Sequence, residues 1–280
     1  MIWNTSKRTL ILDRPLVMAI LNVTPDSFSD GGMIGGVDDA LRQAEKFIAE
    51  GADIIDIGGE STRPGSSRVS VDDEIRRVVP VTEEIAKRFD IPISIDTSKS
   101  EVAASAVIAG AEIVNDISGL RFDPKIADVA ATHKTGLVLM HSRGDFEAMH
   151  SQPPVPDIMA DVAEGFRAAI AKAQSAGVCE ENIALDIGIG FGKTQEQNLE
   201  LLAKLDKLTA EFPDYPMLAG TSRKSFIGKL LKGAPVRERL SGSLATAAIA
   251  IWNGAKIMRV HDVKETSEMI RIVEAVKGQI

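Results

Sequence analysis

One cysteine, Cys179, stands among the 280 residues. No intrachain disulfide can form, and a reducing compartment is the expected setting. The apolar runs stop far short of the ~18 residues that mark a membrane span, so no membrane association is expected. The opening "MIWNTSKRTLILDRP" lacks a signal-peptide apolar core and cleavage site, which points to the cytoplasm. Positive charge is in deficit: 32 Lys and Arg against 40 Asp and Glu give a net charge of -8. Nucleic-acid proteins usually carry a basic surface, so no nucleic-acid partner is expected, though a local basic pocket is compatible with this balance. The histidines, His133, His141, His150 and His261, show no zinc-ligand spacing. His133 and His150 read as surface residues; His141 reads equally well as core or as site. There is no G-x-S-x-G elbow, and Cys179 has no evident base beside it, so covalent catalysis has no support. "GIGFGKT" (Gly188–Thr194) fails the P-loop spacing at Ile187 and the dinucleotide spacing at Gly192, leaving a glycine-rich loop that lets a ligand approach backbone. Linkers and low-complexity segments are missing too.

What is present is a rhythm. Eight short apolar runs each end in polar residues or glycine: Leu16–Asn22, Ala52–Gly58, Ile91–Asp96, Glu112–Asp116, Gly136–His141, Ile183–Ile187, Pro216–Thr221 and Lys256–His261. Near-continuous apolar runs of this length suit strands buried on both faces of a parallel sheet. Helical patterns lie between them. Val37–Gly51 starts with acids and ends in glycine, as capping and the helix dipole favour. Val71–Phe89 repeats the pattern, with Pro80 expected to kink it. Further helices are expected over Lys99–Gly110, Asp123–Lys134, Pro154–Gly177, Glu196–Phe212, a broken pair across Lys224–Asn253, and Val263–Gly278. Hydrophobic residues at 44% and charged residues at 26% are ordinary for a globular chain. Eight strands alternating with helices over 280 residues predict one (β/α)₈ TIM barrel spanning 1–280, for which about 250 residues is typical; a doubly wound sheet is the alternative.

A barrel carries its chemistry at the C-terminal strand ends. There the chain puts Asn22, Asp56, Asp96, Asn115 with Asp116, His141, Asp186, Ser222 with Arg223 and Lys224, and Arg259 with His261. Any one of them could simply stop a strand; together, rich in amide, carboxylate and cation, they point to a site. Asp96, Asn115 and Asp186 on one wall suit a flat heterocycle with several N–H donors and ring acceptors. Arg63, Lys224, Arg259 and His261 suit phosphate or carboxylate. The combination suggests a nitrogen heterocycle with an anionic tail. Ion pairing of Asp96 and Asp186 with those cations is the alternative.

These residues fall in motifs that together resemble the dihydropteroate synthase family: "NVTPDSFSDGG" (22–32), "DIGGESTRPGS" (56–66), "SIDTSK" (94–99), "NDISG" (115–119), "LMH" (139–141), "DIGIGFGK" (186–193), "GTSRKSFIG" (220–228) and "RVHD" (259–262). The likeness runs through nearly the whole chain, and the motifs in this order are highly specific. Two places depart from the family pattern. Ile187 stands where proline is usual, and "HSRGDFEAMHSQPP" (141–154) is not the common version.

The resemblance implies condensation of 6-hydroxymethyl-7,8-dihydropterin pyrophosphate with p-aminobenzoate, giving 7,8-dihydropteroate and pyrophosphate, assisted by Mg²⁺. It implies a pterin held by Asp96, Asn115, Met140, Asp186, Phe191, Gly220 and Lys224. Pyrophosphate would meet Asn22, Thr62, Arg259 and His261, with Asn22 also a Mg²⁺ ligand. The p-aminobenzoate would touch Phe28, Thr62, Arg63, Pro64, Phe191, Lys224 and Ser225. Asp30, Asp96, Asp186 and Lys224 would act in the reaction: pyrophosphate leaves early, in an SN1-like course, and the arylamine attacks the resulting cation. "NVTPDSFSDGG" would be a lid hinged on its Pro and Gly residues, with Phe28 walling the arylamine and Asp30 near the cation or metal. The family is usually homodimeric. A pterin-binding methyltransferase of a corrinoid system is the alternative function, but it would not need "STRPGS" or "SRKSFIG".

Overall fold

The computed structural model of the chain describes residues 1–24, 32–62, 66–149 and 152–279. It opens with an antiparallel hairpin of β1 (Ile2–Asn4) and β2 (Thr9–Ile11), in which Trp3 faces Leu10. Parallel strands follow: β3 (Leu16–Asn22), β4 (Ile54–Gly58), β5 (Ile93–Asp96), β6 (Ile113–Asp116), β7 (Gly136–Met140), β8 (Ile183–Asp186), β9 (Met217–Ala219) and β10 (Ile257–Val260). β10 pairs with both β9 and β3, so the sheet closes into a barrel in chain order. The (β/α)₈ expectation is met. The doubly wound alternative fails because such a sheet is open, whereas this one closes on itself.

The helices are α1 (Gly32–Ala49), α2 (Val71–Arg88), α3 (Ser100–Ile108), α4 (Ile126–His133), α5 (Ile158–Ser175), α6 (Gln195–Ala203), α7 (Leu205–Glu211), α8 (Ser225–Leu230), α9 (Leu240–Trp252) and α10 (Val263–Lys277). α2 starts where its sequence signals it. The Ser70 side chain accepts from the Asp73 amide, Asp72 to Glu74 lie at the positive end of the dipole, and Lys87 and Arg88 at the negative end. Pro80 does not divide this helix, which runs unbroken from Val71 to Arg88. The single helix expected over Glu196–Phe212 is two, separated at Lys204, whose φ of -114° and ψ of 19° leave the helical region. No helix among the described residues is long and apolar enough to cross a membrane.

Side chains of a strand alternate between its faces, and this alternation builds the interior. Outward residues such as Ile55, Ile57, Ile93, Ile95, Leu137, Leu139 and Leu185 join Val78, Ile85, Val102, Phe166 and Leu201 of the helices in one core. Inward residues Met18, Ile54, Ile113, Val138, Ala184, Leu218 and Ile257 form a second cluster with Trp3, Leu12 and Leu16. Trp3 is fully buried there, and its indole Nε1 donates to the Asn182 carbonyl at 2.8 Å. The hairpin therefore stoppers the N-terminal end of the barrel. Its strands of three residues each are too short to show a period, which is why the sequence pattern assigned them no element. Two residues further along the same strands, the inward layer becomes Ile20, Asp56, Asn115, Met140, Asp186, Gly220 and Arg259, and the character of the barrel changes from apolar to polar.

Candidate active site

Above the apolar layer a cavity opens at the C-terminal end of the barrel. It is lined by Ile20, Thr62, Asp96, Asn115, Ile117, Met140, Asp186, Phe191, Gly220, Ser222, Lys224, Arg259 and His261. Eight strands with parallel register bring residues far apart in sequence to one wall; Gly58 lies beside Asp96, and Asp96 beside Asn115.

Arg259 on β10 organises the floor. Its Nε donates to Asp56 Oδ2 at 2.6 Å and its Nη2 to Asp96 Oδ2 at 2.5 Å. Burial works against the guanidinium charge, but Asp56 and Asp96 outweigh it and hold the group above its ordinary pKa. Burial raises the Asp96 carboxyl to about 7, with Arg259 opposing the shift and Asp56 adding to it. Asp56 is fully buried and receives long bonds of 3.3–3.4 Å from the Asn115 amide. The pairing expected as an alternative for Asp96 is therefore present, whereas no salt bridge to Asp186 is found among the described residues. Asp186 instead accepts the Gly188 amide at 2.7 Å; burial raises its pKa against that bond and the charge of Lys224. Asp56 is a polar strand end in the sequence, and only the structure shows it holding Arg259. The signal lay in the alternation, which makes it an inward residue two positions from Gly58.

Lys224 Nζ donates to the Ile189 carbonyl at 2.7 Å and lies 4.1 Å from the centre of the Phe191 ring. Burial lowers its pKa to about 8, with Asp186 resisting. The Gly188–Gly192 loop that presents Phe191 has little freedom. Gly188 has φ +61°, and a Cβ there would lie 1.9 Å from the His141 carbonyl. Lys193 pins it with bonds to the carbonyls of His141 (3.0 Å), Gly188 (2.8 Å) and Phe191 (3.1 Å), and burial lowers its pKa to about 7. Ile187, where the family pattern has proline, points its amide at the Leu218 carbonyl at 3.5 Å, a contact proline could not make.

The remaining expected residues divide clearly. Thr62, Met140, Gly220 and His261 line the cavity. His261 Nδ1 lies 3.1 Å from Ser222 Oγ. Asn22 ends β3; a Cβ at Gly58 would stand in ordinary contact with its Oδ1 (3.6 Å) and with Asp96 Oδ2 (3.7 Å), so both oxygens lie close to Gly58. Ser225 begins α8, is exposed and is not part of the cavity lining. Phe28, Asp30, Arg63 and Pro64, and with them the lid, lie outside the described residues, as does His150. Asp116 neighbours Asn115 but faces away: its carboxylate takes the Ser118 and Leu120 amides and organises a turn. His133 is exposed, as expected. His141 is buried against Asp161 at 3.2 Å, with burial lowering its pKa to about 4, and it stays out of the cavity lining.

The unusual segment after β7 also acquires a place. Phe146 and Met149 are buried with Ile117, Met140 and Phe191, so this segment backs the apolar side of the cavity. The Arg68 guanidinium sits over Phe146 (4.6 Å) and Phe122 (5.3 Å) and joins the segment after β4 to it. Met140 and Phe191 thus share the apolar part of the cavity lining, and Asp96, Asn115, Asp186 and Lys224 supply its carboxylate, amide and ammonium groups.

That architecture is the one a pterin-binding enzyme needs, and the family model described as "Pterin binding enzyme" matches residues 18–261. The chain thus belongs to the pterin-binding enzyme family. Its curated relatives narrow the class. It is 50% identical over 269 residues to the dihydropteroate synthase of Escherichia coli, covering 95% of this chain and 93% of that one. Among solved structures, Yersinia pestis dihydropteroate synthase in a sulfonamide drug complex superposes with a TM-score of 0.92 at 46% identity, covering 99% of this chain and 100% of that one. Xanthomonas albilineans dihydropteroate synthase with 4-aminobenzoic acid gives 0.92 at 42% identity, covering 99% and 98%. Within the pterin-binding enzymes the chain is a member of the dihydropteroate synthases, and it is a transferase.

Proposed function

We propose that the chain joins 6-hydroxymethyl-7,8-dihydropterin pyrophosphate to p-aminobenzoate, releasing pyrophosphate. The observation that carries this reading is the convergence of Asp96, Asn115, Asp186 and Lys224 with Met140 and Phe191 in the lining of one cavity. The complexes of the Yersinia pestis and Xanthomonas albilineans enzymes with a sulfonamide and with 4-aminobenzoic acid support the arylamine half.

In this reading the ring N–H groups donate to Asp186, Asp96 and the Asn115 carbonyl, and Lys224 donates to a ring acceptor. The bond between the pterin methylene carbon and the pyrophosphate oxygen breaks first, and its electron pair leaves with pyrophosphate. The electron-rich ring carries the positive charge, which the Asp96 and Asp186 carboxylates stabilise. His261 and Arg259 face the leaving group; Arg259 remains tied to Asp56 and Asp96 while it does so. The arylamine nitrogen then attacks the carbon, forming the C–N bond, and the resulting ammonium, being strongly acidic, gives its proton to water, with no strong base required. Mg²⁺ fits as a helper. No cluster of three or more His, Cys, Asp or Glu that could hold a metal exists among the described residues. The amide oxygen of Asn22, close to Gly58, is a hard ligand of the kind Mg²⁺ accepts alongside substrate phosphates and water. Bound there, the ion would neutralise charge on the departing pyrophosphate.

Turnover of the pyrophosphate with p-aminobenzoate, against methyl-tetrahydrofolate as a competing substrate class, tests the assignment; consumption of only the latter overturns it. The same assay over pH should give a bell for kcat/KM. Activity should rise as Asp96 loses its proton near 7 and fall as Lys224 loses its own near 8, because the first supplies the negative charge and the second the positive. Lys224→Arg, whose cation does not titrate in this range, should lose the alkaline limb. A profile flat through both values would remove these two groups from the mechanism.

We further propose a homodimer and a reducing cytosolic setting. Ile249 and Trp252 on α9, and Ile272 and Val276 on α10, are exposed apolar side chains on neighbouring helices. The single, exposed Cys179 suits reducing surroundings. Sedimentation should give twice the chain mass for the parent and the chain mass for Trp252→Glu. A monomeric parent would set the dimer aside.

A further inference from the structure

Of the motif Ser94–Lys99, the proposed chemistry uses only Asp96, and Lys99 is left without a role. Its side chain is buried. The ammonium donates to Glu60 Oε1 at 3.0 Å, to Glu74 Oε2 at 2.5 Å and to the Val69 carbonyl at 2.9 Å. Glu60 Oε1 also takes the Val69 amide at 2.6 Å. Glu60 and Val69 are the two stems of the segment that links β4 to α2, and Glu74 lies in the first turn of α2. One cation therefore fastens both stems to each other and to the helix. Thr62, a cavity wall residue, stands on this segment two positions beyond Glu60.

The bond set is more than a surface ion pair. The Glu60 and Glu74 side chains are 6% and 0% exposed, and one ammonium serves both. Glu74 Oε1 has no hydrogen-bond partner among the described residues. Without the cation, two buried carboxylates would face each other and drive the stems apart. Asp96 and Lys99, three residues apart, thus serve two parts of the site: one lines the cavity, the other holds the root of the segment that carries Thr62.

We infer that Lys99 is a positioning residue for the arylamine, acting by clasping the stems of the Thr62 segment. This rests on the reading that the segment contacts p-aminobenzoate. Lys99→Met alone would leave the two carboxylates uncompensated and could unfold the chain. The variant to use is therefore Lys99→Met with Glu74→Gln, in which the buried charge stays at -1: the parent has one cation and two anions, the variant one anion. It should melt like the parent and bind a pterin analogue within about twofold by calorimetry, while KM for p-aminobenzoate rises about tenfold with kcat little changed. Amide hydrogen exchange over residues 60–70 should accelerate, and Lys99→Arg should restore part of the KM. Parent-like exchange and parent-like KM would overturn the inference, and so would an equal fall in pterin affinity, which a general structural role would cause. If the parent enzyme itself does not consume p-aminobenzoate, the functional reading fails instead. The exchange comparison still decides whether Lys99 holds the stems.

Discussion

Replacing Arg259 by Met is expected to destabilise the enzyme by about 3–5 kcal/mol near neutral pH, the range for breaking a buried ion pair by removing one partner. Asp56 is fully buried and the Asp96 side chain is only 14% exposed, and each accepts from this guanidinium at 2.5–2.6 Å. Methionine fills much of the volume but leaves two carboxylates with no cation between them. The loss should depend on pH in a defined direction. Asp96 titrates at about 7 in the folded parent against an ordinary carboxyl value near 4. A raised folded pKa means that the proton stabilises the folded state: this contribution is full below about 4 and is lost as pH rises through about 7. Without Arg259 the pull toward the neutral acid is stronger. The deficit should therefore be largest above pH 7 and shrink on acidification. Denaturant midpoints of parent and Arg259→Met at mildly acidic and mildly alkaline pH check this. A loss below about 1 kcal/mol, or one independent of pH, would mean that the floor is not held by this pair.

Asp186→Asn should separate binding from stability. The asparagine can still accept the Gly188 amide that Asp186 Oδ1 takes at 2.7 Å, so the loop keeps its anchor. It also removes a buried charge whose desolvation raises the pKa, so the melting temperature should hold or rise. Pterin affinity should fall. Hydrogen bonds to a charged group contribute about 1.5–3 kcal/mol, roughly 10- to 150-fold in Kd, and the new NH₂ faces ring N–H groups that need acceptors. Calorimetric titration with a pterin analogue measures this directly. Unchanged affinity would take Asp186 out of the pterin wall. A drop in both affinity and melting temperature would point to a collapsed loop instead.

Strand number, the helices between and the polar ends were legible because each is a local pattern. A run of apolar residues ending in Asp or Asn needs only its own neighbours to be recognised. The end of Ile113–Asp116 marks the limit of that reading. Asn115 and Asp116 are equally polar, yet only the alternation of a closed barrel turns Asn115 inward and sends Asp116 to a turn. The β1–β2 hairpin was invisible because its strands are short and Trp3 makes sense only beneath a barrel that supplies Ile54, Val138 and Leu218.

By itself the sequence determined the barrel, the family and the set of side chains brought to its mouth, since these follow from periodicity and from motifs written in consecutive residues. Tertiary structure decided which charges meet. Arg259 reaches Asp56 and Asp96 across 203 and 163 residues, Lys224 takes the Ile189 carbonyl and the Phe191 face, and Lys99 turns from the cavity to Glu60 and Glu74. A cation's partner depends on distances of a few ångströms between separate strands and loops, and those distances exist only once the sheet has closed.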